Sequence, residues 1–217
     1  MSFAQPYEVI TPPAELPVSI QEFKSWAKIT SSHDDALIQR IIEGVTDEAE
    51  KYTKRDFVER EYETFRNVFG DIEESPVRGC GRYIHLPNRT PVTLRRSKLL
   101  SVTGIEYEKD GNVTIFPLSD IRTIKKDAFS QIVPKQSSHW AIPDPEPQSI
   151  RITFTAGYGT AADVPAALKN AILAHSTAVY QNRGDCDDGS GGSCSCKFAP
   201  AEALSVYNQY RIIDFRG

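Results

Sequence analysis

No run of apolar residues in this sequence approaches the ~20 that a membrane-crossing helix needs, so a helical bilayer span is excluded and no membrane partner is expected. Cysteine is scarce. Of the four, Cys80 stands alone and Cys186, Cys194 and Cys196 share one Gly/Ser-rich stretch, too few and too uneven for a secreted disulfide scaffold. Reduced thiols are the expectation. Positive charge is also in short supply: a net charge of −4 leaves no overall field to hold a phosphate backbone. The segment from Met1 to Pro13 lacks the basic start and apolar run of a secretory signal and reads as an extended arm, with a cytoplasm as the expected compartment. Nucleophile elbow, P-loop and metalloprotease helix are all missing, so no enzyme is expected and no catalytic, cofactor-binding or metal-ligating residue is assigned.

Helix signals open the chain. Ser19 followed by Glu22 has the spacing of a capping box, which predicts a helix through about Lys28 with Ile20, Phe23, Trp26 and Ala27 on its apolar face. Ser31 or Ser32, with Asp34 and Asp35 in the first turn, starts a second helix that runs to about Lys54. Within it Leu37, Ile38, Ile41, Ile42, Val45, Ala49 and Tyr52 recur every three or four residues, the mark of one buried side.

From Phe57 to Thr155 the texture changes to short β-branched and aromatic runs broken by Gly, Pro and Asp. Val58 to Val68, Tyr83 to Leu86, Leu100 to Tyr107, Val113 to Phe116 and Ile150 to Thr155 are the expected strands, Asp110-Gly111 a hairpin turn, and Pro134 to Pro147 an exposed loop. A third helix follows Asp163, read as its N-cap with Pro165 in the first turn. Leu168, Ala171, Ile172, His175, Ala178 and Val179 form its inward face and Gly184 its stop. The Gly/Ser/Cys/Asp run from Asp185 to Lys197 reads as a flexible linker. A short helix from Pro200 to Tyr210 leads into Ile212, Ile213 and Phe215.

Three patterns invite a chemical reading. Gly157-Tyr158-Gly159-Thr160-Ala161-Ala162 fits G-x-G-x-x-A after a strand, but Asp163-Val164-Pro165 postpones the helix that should meet a pyrophosphate, so a structural turn is favoured over a nucleotide-binding enzyme. Cys186, Cys194 and Cys196 follow C-x7-C-x-C, a poor match to zinc spacing, and a small cysteine-cluster zinc protein stands only as an alternative. His33, Asp34 and Asp35 read as capping groups, and His175 as a hydrogen-bonded packing residue.

Two blocks carry a family resemblance. Val18-Ser19-Ile20-Gln21-Glu22-Phe23-Lys24-Ser25-Trp26-Ala27-Lys28, with His33-Asp34-Asp35-Ala36-Leu37-Ile38 and Ala49-Glu50-Lys51-Tyr52-Thr53, resembles the phage head-tail connector family. So does Ile152-Thr153-Phe154-Thr155-Ala156-Gly157-Tyr158-Gly159 followed by Val164-Pro165-Ala166-Ala167-Leu168-Lys169-Asn170-Ala171-Ile172. Small members look all-helical, so the β-rich middle and the cysteine linker read as departures. The resemblance implies a structural virion protein of the neck, assembled in the host cytoplasm. It would form a homo-oligomeric ring of about twelve copies on the portal protein. The ring would meet a neck stopper or tail terminator protein, and double-stranded DNA would pass through its lumen without sequence-specific binding.

The expected fold class is therefore α+β. Residues 1–56 supply an arm and two helices, 57–155 a β-rich insertion, and 156–184 a turn and a long third helix that completes a small helical core. Residues 185–199 are the linker and 200–217 a flexible C-terminal arm. Val206, Tyr207, Tyr210, Ile212, Ile213 and Phe215 give that arm the apolar, aromatic content of an interface anchor for the portal, which is the favoured reading; the alternative is that the same residues fold back onto the helical core of their own subunit.

Overall fold

The capping box at Ser19 forms. The Ser19 hydroxyl accepts the Glu22 N–H at 3.2 Å and the Glu22 carboxylate accepts the Ser19 N–H at 2.7 Å, satisfying two of the donors a helix start leaves open. It begins α1 (Ile20–Ala27), which Lys28 closes in the left-handed conformation. The computed structural model describes residues 7–69, 90–96, 98–182 and 199–213. It divides into a β unit, Met1–Pro12 with Glu59–Gly157, and a helical unit, Pro13–Val58 with Tyr158–Gly217.

In the helical unit α1 is followed by α2 (Asp35–Thr53), α3 (Ala166–Gln181) and α4 (Ala201–Tyr210). Phe23, Ile38, Ile42, Val45, Ala49, Leu168 and Ile172 are buried in one apolar cluster, with Ile41 and Tyr52 partly buried against it. The stripe read along α2 is the packed one, and Leu37 is half-buried. Trp26 is different. At about 100° per residue, Ile20, Phe23 and Ala27 share a face that Trp26 lies off, so Trp26 stays 48% exposed. Lys24 takes the place instead, buried along its stem with its ammonium 2.9 Å from the Asp35 carboxylate. Val179 holds an inward position but sits in the last turn of α3 and remains 41% exposed.

Two helix starts fall elsewhere than their sequence signals. Asp34, not Ser31 or Ser32, is the N-cap of α2, and its carboxylate makes no cap bond because it accepts the Tyr180 hydroxyl at 2.5 Å. Pro165, not Asp163, precedes α3. Asp163 instead closes a short 3-10 turn, Ala161–Asp163, through a capping box with Thr160. Helix α3 ends at Gln181 with Asn182 as its cap, while Gly184, the expected stop, lies outside the described residues, as does the linker 185–197.

The β unit begins with a correction to the extended arm. Residues 7–11 form a strand, β1 (Tyr7–Thr11), paired antiparallel with β2 (Arg60–Arg66). Chain order continues through β3 (Val92–Leu94), β4 (Leu99–Lys109), β5 (Asn112–Ile115), β6 (Ile121–Lys125), β7 (Ser130–Pro134) and β8 (Ile150–Ala156). One sheet runs β1-β2-β8-β4-β5 and the other β3-β7-β6. Alternation sets their faces: Ile150, Ile152, Phe154 and Ala156 are buried while Arg151 is exposed. The Asp110-Gly111 turn joins β4 to β5 with φ of 54° and 72°, the positive values that hairpin demands.

Strands β3, β6 and β7 lay beneath the sequence reading, since each is short and the basic β6 lacks clean alternation. The expected strand Tyr83–Leu86 lies outside the described residues. The loop after Pro134 is not simply exposed: Trp140 is 3% exposed, stacked 4.7 Å from Phe69, and its indole N–H donates to the Thr90 carbonyl at 2.8 Å. A buried indole needs both the apolar contact and the acceptor.

The helical core allows a direct check. Ile42 is fully buried, so Ile42→Ala should lower the unfolding free energy by about 2–5 kcal/mol, measured by denaturant melts.

Candidate functional site

The segment proposed as a docking arm occupies the end of the helical unit, where α2 and α4 both terminate. Lys54, in the left-handed conformation, caps α2, and Thr53 turns its hydroxyl onto the Ala49 carbonyl at 2.7 Å. This leaves the Thr53 carbonyl free to accept the Ile212 N–H at 2.9 Å. The Arg55 guanidinium donates to the Tyr210 carbonyl, and Tyr52 donates its hydroxyl to Asn208 at 2.5 Å. Arg211 lies 4.9 Å over the Tyr52 ring, a cation–π contact worth roughly 0.5–1 kcal/mol at an exposed site.

Residues 201–213 therefore take the folded-back arrangement. Tyr207 is 2% exposed in the helical core, and Val206 and Tyr210 are partly buried against it. Ile212 is half-buried and Ile213 is 63% exposed, while Phe215 lies outside the described residues. What remains open is a shallow groove lined by Lys54, Asn208, Arg211, Ile212 and Ile213. Two cations beside an exposed isoleucine suit an apolar, acidic partner segment. Sequence reasoning named the apolar residues but missed Lys54 and Arg211; a lysine and an arginine just past two helix ends were the available signal.

Deeper in this unit lies a titratable cluster. His175 is 2% exposed, its ring 6.2 Å from that of Tyr207 and its Nε2 3.9 Å from the Glu48 carboxylate. Its Nδ1 and the Tyr207 hydroxyl have no hydrogen-bond partner among the described residues, so the expected packing role holds without the expected hydrogen bond. Burial pushes the imidazole below its ordinary value, with Glu48 pulling the other way. Burial first, and Glu48 second, raise the Tyr207 phenol. Neither ring is open to a substrate.

The glycine turn has a clear geometry. Gly157 and Gly159 have φ of 135° and 123°, so the turn needs glycine for its backbone. The N–H groups that a phosphate would seek are taken: Thr160 N–H by the Asp163 carboxylate at 2.9 Å, and Ala161 N–H by the Glu15 carboxylate at 2.7 Å. Two carboxylates there repel an anion, which argues against the nucleotide alternative. Asp35 and Asp34 serve Lys24 and Tyr180, and His33 donates its N–H to Ser31. Cys80, Cys186, Cys194 and Cys196 lie outside the described residues.

Residues 17–113 match the model of the Phage gp6-like head-tail connector protein family, which bears out the resemblance drawn from the first sequence block and extends it into the β unit. The second block lies beyond the matched range. Among curated proteins no sequence matches. Three solved structures share the fold over nearly the whole chain. A chain in "Neck of empty GTA particle computed with C6 symmetry" is 16% identical, with a TM-score of 0.68 and 98% of each chain covered. A chain in "Virion of native gene transfer agent (GTA) particle" is 18% identical, with a TM-score of 0.66 and 97% of each covered. A third, in "Neck of native GTA particle computed with C12 symmetry", is 18% identical, with a TM-score of 0.65 and 98% of each covered. The β unit is thus part of a shared fold and not a departure from it.

His175 binds its proton less tightly in the folded chain than in the unfolded one, where it titrates near 6.5. Its share of stability is full above that pH and is lost as pH falls toward the lowered folded value. Melting temperature should drop between pH 7.5 and 5.5, and His175→Leu should flatten that drop. Deleting residues 200–217 removes buried Ala203 and Tyr207 and should cost about 3–5 kcal/mol. Ile213→Ser, at an exposed position, should stay within about 0.5 kcal/mol of wild type in the same melts.

Proposed function

We propose that this chain is a head-tail connector, a structural subunit of a virion neck. The observation that carries the reading is the conjunction of the family match over residues 17–113 with a neck-protein fold over 98% of the chain. In this reading copies assemble in the host cytoplasm into a ring of about twelve beneath the portal of a filled capsid. The ring receives a neck stopper or tail terminator protein on its other side, and DNA passes through its lumen. The 12-fold and 6-fold symmetries named for the neck structures support a cyclic arrangement. The −4 charge on each copy disfavours adhesion of a moving polyanion.

The groove of Lys54, Arg211, Ile212 and Ile213 is the surface assigned to a neighbouring neck protein, with the portal as first choice. Its work is docking, and the neighbouring His175 and Tyr207 rings are sealed in the core. Particles produced without this chain should accumulate as heads without tails, and electron microscopy of complete particles should place it in the neck in cyclic symmetry. Tailed, infectious or DNA-delivering particles that lack the chain would defeat the reading.

A further inference from the structure

Strand β5 is an edge without the usual protection. All four residues, Asn112-Val113-Thr114-Ile115, are exposed, Val113 at 66% and Ile115 at 72%. Open edges are normally blunted by charge, proline or a bulge. The edge strand β6 of the other sheet carries Arg122 and Lys125; β5 carries no charge and no proline. Its two β-branched apolar residues, Val113 and Ile115, share one exposed face of the strand.

The phase of the β4–β5 ladder fixes which backbone groups face outward. The Phe116 N–H donates to the Ile105 carbonyl at 2.8 Å, which makes that a hydrogen-bonded pair. Antiparallel pairs alternate, so Tyr107 and Thr114 form the next one. Val113 and Ile115 therefore point their N–H and C=O groups away from β4. The same alternation sends the Glu108 groups toward β8, where its N–H meets the Ser149 carbonyl and its carbonyl meets the Asp144 N–H. No backbone bond to Val113 or Ile115 from outside this hairpin occurs among the described residues.

The other end of the same sheet is β1, which carries Glu8 and a bulge between Val9 and Thr11 but still exposes Val9 at 48% and Ile10 at 43%. Every neighbouring pair in this five-stranded sheet is antiparallel, so its two edges run in the same direction. Copies related by rotation about one axis would present β1 of one to β5 of the next as a parallel pair. A closed ring needs two different, complementary patches on a single chain, and two unlike edges of one sheet meet that requirement.

We propose that β5 of one copy pairs with β1 of the next, continuing the sheet around the ring through the outward groups of Val113 and Ile115. The inference rests on the ring reading above. Val113→Pro removes one outward donor and leaves the ladder to β4 intact, whereas Thr114→Pro removes an inward one and should unfold the hairpin. The full Val113→Pro chain should keep its circular dichroism and melting profile. The fraction of chain in rings, measured by native mass and electron microscopy, should fall about tenfold or more.

Because proline can disturb a strand for other reasons, a cysteine pair gives an independent reading. In a chain with Ser at positions 80, 186, 194 and 196, Val113→Cys together with Ile10→Cys should yield a ladder of disulfide-linked multimers on oxidation, and either substitution alone should not. Rings formed by Val113→Pro as readily as by wild type would overturn the edge pairing and leave the ring reading standing. Cross-linked dimers from Val113→Cys alone would overturn it too, since β5 would then meet its own twin. A wild-type chain that forms no ring, alone or in particles, would sink the ring reading and the pairing with it.

Discussion

The seven-pair ladder between β2 and β8 is the constraint on which the rest of the architecture depends. It runs from Arg66 opposite Ile150 to Arg60 opposite Ala156, bringing together the points at which the chain enters and leaves the β unit. Residues 67–149 lie between the two strands, yet loop closure grows only with the logarithm of length, so one ladder suffices to close them. Within the helical unit, Tyr158 donates its N–H to the Phe57 carbonyl at 3.3 Å. Helices α2 and α3, separated in sequence by that whole insertion, can then share one apolar cluster.

The helical unit spends most of its polar reach on holding itself together. Asp34, Asp35 and Glu22, all placed where a helix start favours negative charge, bind the Tyr180 hydroxyl, Lys24 and the Ser19 backbone. Glu15 and Asp163 fill the glycine turn in the same way. Among the described residues, the surfaces left open to partners include the basic groove at the end of α4, the exposed Trp26, and the two edges of the five-stranded sheet. Carboxylates committed inward make the helical unit rigid.

Much of the helical architecture could be read from residue order because its signals are local. The capping box at Ser19, the α2 stripe, the Asp110-Gly111 turn and the start of α4 after Pro200 each depend on residues within a few positions of one another. The groove at the end of α4 was half legible. Its apolar residues stood out in the tail, but Tyr207 proved to be core, and Lys54 lies about 150 residues away from Arg211, a juxtaposition that periodicity does not encode.

By itself the sequence determined the mixed α and β composition, the places where helices start and stop to within a residue or three, and the absence of a long apolar span. These follow from side-chain spacing and backbone sterics, which act over one or two turns. Only the tertiary structure decided that residues 7–11 are a sheet edge, that Trp140 anchors the loop after Pro134, and that α4 folds back so that Ile212 bonds to Thr53. Each of these outcomes turns on a partner far along the chain: Tyr62, Phe69 with Thr90, and the end of α2. A strand edge or an anchored loop is defined by which distant backbone and ring it meets, and residue spacing along the chain does not encode that meeting.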